Sequence, residues 1–170
     1  MERGELTSVD GRSAVRFTRI YPYPVERVWA AVSDPQELPG WFPSAVAYDE
    51  ERAGSAISFT GDPYAETAGG TVLVFDPPHR FGFTWGDDEV YLTVRETSGG
   101  GSELTLVDVL AAEDAAARNA AGWTVCLTEL RRLLAGETPT GPHREGAEPF
   151  LPLYEAYVAE GMPSGAHIPE

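Results

Sequence analysis

The sequence contains no lysine; all 12 of its basic residues are arginine. That removes Schiff-base chemistry, lysine general bases and a phosphate-loop lysine. Codon bias in a high-GC genome is the plainest origin of the gap. Cysteine is almost as scarce. Cys126 is the single thiol, so no internal disulfide can form, which agrees with a reducing compartment. Of three histidines, His79 sits in a proline turn and His143 and His167 fall in the tail, without metal-ligand spacing. No HExxH, GxSxG or Cys-His-Asp series is present. The expectation is therefore no metal, no cofactor and no assigned catalytic residue.

Long apolar runs are missing as well. No stretch approaches the roughly 20 residues needed to span a bilayer. The N-terminal MERGELTSVDGRS is charged and polar, so no signal peptide is expected and a cytoplasmic location is. Positive charge is in short supply: the formal net charge is −15. Nucleic acid and anionic membrane surfaces both need a basic footprint, so neither is an expected partner. The acidity itself reads as a solubility device.

What is present describes a globular chain. Its 170 residues suit one domain, and a 42% hydrophobic share with 11% aromatic rules out a disordered composition. Residues 1–12 read as a flexible lead-in. AVRFTRIY (14–21) predicts a strand. In PYPVERVWAAVSDPQELPGWF, Pro24 suits a helix start, and Val25, Val28, Trp29 and Val32 make an apolar face. Asp34-Pro35 ends that helix and can cap a second short one through Leu38. Six further strands are predicted at 44–49, 55–60, 69–76, 80–86, 89–96 and 102–110. The breakers ERAG, GDPYAE, DPPH, GDD and SGGGS between them predict antiparallel hairpins. SGGGS lies between two strands, so it reads as a turn and not as a phosphate cradle. A long helix is predicted from near Glu113. AAGWTVCLTELRRLLAGE places apolar residues at 120, 123, 127, 130 and 134, one helical stripe, with Gly136 as its stop. After a linker, FLPLYEAYVAE (150–160) predicts a short helix that docks on the body, giving a 138–170 tail. A sheet this long must bury one face, and only the long helix can cover it.

Three segments carry a resemblance: YPYPVERVWAAVSDPQELPGWF, FDPPHRFGFTW and AAGWTVCLTELRRLLAGE. Together they make residues 13–137 similar to the SRPBCC (START-like, helix-grip) superfamily. The branch they most resemble is the C-terminal domain of the heat-shock protein 90 ATPase activator. The resemblance implies an α+β fold in which a curved seven-stranded antiparallel sheet grips a long C-terminal helix, with two short helices after the first strand and a cavity between helix and sheet. The activator's additional N-terminal domain is not expected here. Members of the superfamily serve as ligand carriers, cyclases and chaperone regulators, so the fold leaves function open.

Strand and helix alternation supply candidate cavity walls. Phe81, Phe83 and Trp85 share one face of their strand; Thr71, Leu73 and Phe75 share one face of theirs. Asn119, Trp123, Cys126 and Leu127 lie in one helical stripe. Trp41 and Phe42 follow the short helix, where relatives of this fold open their cavity. Thr60 and Tyr64 fall near a loop at the mouth. The ligand-binding candidates are thus Trp41, Phe42, Thr60, Tyr64, Phe75, Phe83, Trp85, Asp108, Asn119, Trp123 and Cys126. Plain core is the competing reading for the rings, a solvent edge for Asn119 and an inert small hydrophobe for Cys126. An edge or bulge position is the expectation for Asp108, an inward carboxyl with a raised pKa the alternative. Asp87, Asp88 and Glu89 read as a solvated turn. The leading function is a module that binds a hydrophobic small molecule. The alternatives are a regulator of a chaperone or other protein, and a cyclase-like enzyme; a homodimer is compatible with each.

Overall fold

The computed structural model describes residues 3–63 and 68–169. Eight strands form one antiparallel sheet: β1 (Glu5–Val9), β2 (Arg12–Tyr21), β3 (Ala45–Tyr48), β4 (Ala56–Thr60), β5 (Ala68–Asp76), β6 (Arg80–Trp85), β7 (Asp88–Glu96) and β8 (Ser102–Val109). Their spatial order is β1-β2-β8-β7-β6-β5-β4-β3. Strands β3 to β8 run as successive hairpins, and β2 closes the series by pairing along β8. Helix α1 (Val25–Ser33) and a 3₁₀ turn (Leu38–Gly40) follow β2; α2 (Ala116–Leu134) and α3 (Phe150–Ala159) complete the chain. The expected helix-grip architecture is present, with eight strands in place of seven.

The extra strand corrects the reading of residues 1–12. Val9-Asp10-Gly11-Arg12 is a two-residue hairpin in which Asp10 (φ 50°) and Gly11 (φ 80°) both take the left-handed conformation. Asp-Gly is the sequence such a turn prefers. The long helix also starts later than Glu113: residues Glu113–Ala115 form a 3₁₀ turn that leads into α2. On β5 the shared face of Thr71, Leu73 and Phe75 does not exist. Val72 pairs with Phe83 but Val74 pairs with Gly82, so one extra residue sits on β5. Such a bulge reverses which side chains point inward. Val72 is therefore buried while Thr71 is exposed, and Phe75 returns to the core side beyond the bulge.

Helix α2 is buried on more than the predicted stripe. Ala120, Trp123, Leu127, Leu130 and Leu134 are all covered, and so are Ala121, Thr124, Val125 and Glu129. The second set is covered from behind by the C-terminal segment. Tyr157 of α3 is fully buried, and its hydroxyl lies 2.8 Å from Thr124 Oγ1 and accepts from the Gly4 amide at 2.9 Å. One residue thereby joins α3, α2 and the start of β1.

Glu129 does comparable work for the linker. Its carboxylate is wholly buried and accepts from the Thr140 amide (2.8 Å), the Thr140 hydroxyl (3.0 Å), the Gly141 amide (3.1 Å) and Arg132 (2.7 Å). A buried charge is tolerable when each lone pair is met in this way. Glu129→Ala leaves the Thr140 and Gly141 amides without their acceptor and Arg132 without its ion pair, so it should lower unfolding free energy by about 3 kcal/mol. Urea denaturation measures that loss. Limited proteolysis should show new cleavage between residues 138 and 149.

Candidate functional site

The concave side of the sheet meets α2 through rings. Phe42, carried by the chain just after the 3₁₀ turn, has Phe59, Phe83, Trp85 and Trp123 around it at centroid distances of 6.0, 5.9, 5.7 and 5.7 Å. Trp85 and Trp123 lie 5.3 Å apart. Their tilted and edge-on geometries are those that aromatic quadrupoles favour. Phe42, Phe83 and Trp123 are buried; Trp85, at the end of β6, is only partly so. In this conformation the rings occupy the space between α2 and β6.

The other candidates distribute around that cluster. Trp41 is fully buried and donates its indole N–H to the Ala31 carbonyl at 2.8 Å, which ties the turn to the end of α1. Phe75 belongs to a neighbouring ring group with Trp29, Tyr48 and Phe81. Cys126 is buried on α2; burial, with the charges of Asp62 and Glu129 added, pushes its thiol far up, so it is not a nucleophile. Thr60 is exposed at the end of β4. Tyr64 lies outside the described residues.

Asp108 departs from its expected edge or bulge position. In β8 the residues Ser102, Leu104, Leu106 and Asp108 alternate inward, and Asp108 has no exposed surface. Its Oδ2 accepts from Trp123 Nε1 at 2.9 Å and from Asn119 Nδ2 at 3.0 Å. The same Asn119 amide reaches Asp88 Oδ2 at 3.1 Å, and Asp88 Oδ1 accepts from the Ala111 amide at 2.8 Å. Arg118 donates to the Asn119 carbonyl oxygen, which fixes which way that amide points. Asn119 is half-buried near the start of α2 and is not isolated, and Asp88, also half-buried, belongs to this network.

The electrostatics follow from this packing. Burial first, then the hydrogen bond to Asp88 and that carboxylate's charge, raise the Asp108 pKa well above the usual carboxylate range. The donors Trp123 and Asn119 pull the other way, without cancelling the effect. Oδ2 is occupied by two donors, and no described donor reaches Oδ1. The result is a buried carboxyl, shifted toward its protonated form, at one end of an aromatic bed. Sequence reasoning found Asp108, Asn119 and Trp123 singly; it missed Asp88, whose role depends on the hairpin that pairs Trp85 with Asp88. Two recesses on the described surface lie away from these rings. The larger lies between the end of β2, the C-terminal half of α2 and the 146–149 segment.

A group whose folded pKa is raised holds its proton after the unfolded chain has released it. Stability is then greatest below about pH 4 for this group and declines as pH climbs toward the folded pKa. Asp108→Asn keeps the acceptor for Trp123 and Asn119 and supplies N–H toward Asp88. It should fold normally and remove that decline. Urea unfolding of both proteins across pH 4 to 8 tests this; parallel curves would contradict a raised Asp108 pKa.

Comparison with known proteins agrees with the fold. Residues 22–135 match the family model described as activator of Hsp90 ATPase homolog 1-like protein. Among solved structures, CalU16 from Micromonospora echinospora is 24% identical with a TM-score of 0.72, over 95% of this chain and 92% of that one. EF2215 from Enterococcus faecalis, a conserved protein of unknown function, is 17% identical with a TM-score of 0.71, over 92% and 89%. The protein encoded by BPP1335 of Bordetella parapertussis is 26% identical with a TM-score of 0.66, over 98% and 94%. No relative of curated function matches the chain. With the family model matched over most of the chain and the strand-and-helix order seen above, the protein belongs to the activator of Hsp90 ATPase homolog 1-like family and has its START-like fold.

Proposed function

We propose that the protein is a binding module for an apolar or aromatic small molecule held between α2 and the sheet. One observation carries this reading. The Trp123 ring faces Phe42 and Trp85 while its N–H is committed to the buried Asp108 carboxyl. A bed of rings thus ends in a buried carboxyl and an amide, the mixture of apolar wall and few polar groups usual in small-molecule sites. Trp41, Phe42, Phe75, Phe83, Trp85, Trp123 and Cys126 form the wall in this reading, Asp108 and Asn119 its polar end, and Thr60 and Tyr64 its mouth.

A guest enters by displacing rings. Phe42 is borne by a turn and Trp85 by a strand end, so both can swing without breaking the sheet ladder. Such opening motions are drawn from the less constrained parts of a fold. A guest with a hydroxyl gains a hydrogen bond by re-aiming the Asp108 proton away from Asp88. The reading places the module in the cytoplasm without a cofactor. A protein-regulator role draws on the family's description alone. The exposed large apolar side chains Leu6, Ile20, Leu151 and Val158 are spread over β1, β2 and α3.

The test uses 2-naphthol and naphthalene as probes. 2-Naphthol should quench tryptophan emission and raise Tm, as any ligand of the folded state does. Naphthalene should bind roughly fivefold more weakly, the value of one neutral hydrogen bond. If neither probe moves emission or Tm at its solubility limit, the reading fails.

A further inference from the structure

The larger recess has a different chemistry from the ring cluster. It encloses about 940 Å³ between the β2–α1 corner, the C-terminal half of α2 and the linker at 146–149. That is the upper end of the roughly 300–1,000 Å³ typical of small-molecule sites. The linker stands as its outer wall because Thr128 Oγ1 donates to Glu148 at 2.7 Å and Glu129 grips Thr140 and Gly141 further back. Tyr21 and Tyr23 line it from the corner, Leu127 from the helix and Pro149 from the linker.

Its charge runs against that of the chain. Three arginines (Arg19, Arg131 and Arg132) and one acid (Glu148) line it in a protein whose net charge is −15, and Arg132 is already paired with the buried Glu129. Arg132 is committed to Glu129, Thr140 and the Gly146 carbonyl. The Arg131 side chain is exposed and makes no ion pair or hydrogen bond among the described residues. A basic residue in the last turn of a helix is favoured by the macrodipole even without a ligand. Arg19 reaches the same recess from β2 on the facing wall, where it donates to the Thr18 carbonyl at 3.1 Å and lies over the Phe17 ring.

We infer that this recess binds a small amphiphilic monoanion, a carboxylate on a short apolar body. The carboxylate takes Arg131, whose planar fork matches it bidentately. The apolar body lies on Tyr21, Tyr23 and Leu127. Higher charge is disfavoured, since the carbonyl end of α2 and Glu148 both border the site. The recess is separate from the ring bed, and its occupancy does not depend on whether that bed takes a guest.

Octanoate is the probe, with octan-1-ol as the uncharged control, followed by backbone amide shifts of the full chain in ¹⁵N-correlated NMR spectra. Octanoate should shift residues 19–23, 127–135 and 146–149. Arg131→Gln, a surface change that leaves the fold intact, should weaken octanoate roughly tenfold, the value of a charge-assisted hydrogen bond. Octan-1-ol should bind wild type and variant alike, and more weakly than octanoate binds wild type. The inference is overturned if octanoate shifts nothing or shifts only residues around Phe83 and Trp123. It is equally overturned if Arg131→Gln binds octanoate unchanged or octan-1-ol matches octanoate. Naphthol quenching reports on the ring bed separately, so either site can fail alone.

Discussion

The structure depends on one contact, the apolar stripe of α2 pressed into the concave face of an antiparallel sheet. Trp123, Leu127, Leu130 and Leu134 lose essentially all contact with water there. Burial of such side chains contributes about 1.5–3 kcal/mol each, which fixes the helix against the sheet before any polar contact is considered. The polar contacts then decide register. Trp123 cannot rotate along the helix axis without losing Asp108, and Asp108 cannot leave the interior without freeing Asn119. The ring cluster sets where α2 lies, and the carboxyl network sets how far along the sheet it sits.

The back of α2 is treated differently. Where the front is sealed by rings, the reverse side is sealed by a small number of well-satisfied polar groups: Thr124 with Tyr157, and Glu129 with Thr140, Gly141 and Arg132. Chain beyond α2 adds apolar contact as well, with Tyr157 in the core and Phe150, Leu153, Tyr154 and Met162 packed against it. The recess beside Arg131 lies where the 146–149 linker and the β2–α1 corner meet the C-terminal half of α2. Helix α2 therefore borders two environments. One is aromatic and closed, the other amphiphilic and open.

Most of the architecture was legible in the sequence because it depends on period and punctuation. Strand segments split by glycine and proline, and a stripe at 120, 123, 127, 130 and 134, carry their own geometry. β1 was missed, although the Asp10-Gly11 pair is a hairpin signal, because the charged residues around it obscured the strand. The inward faces of β5 were not, because a bulge between Val72 and Val74 reverses parity and nothing local announces it. Among site residues, Asp108, Asn119 and Trp123 were readable as types on faces. Their convergence was not, since it needs the long-range pairing of β7 with β8 and the seating of α2. Asp88 was hidden for the same reason, as an acid in a turn ordinarily faces water.

The central claim is that the space beneath Trp123 admits a guest when Phe42 and Trp85 move aside. Intermolecular nuclear Overhauser effects from bound 2-naphthol test it most directly. The account predicts contacts from the naphthol ring to the side-chain protons of Phe83 and Trp123, with its hydroxyl end toward Asp108. Contacts only to Tyr21, Tyr23 and Leu127, or none to the inner rings, would contradict it.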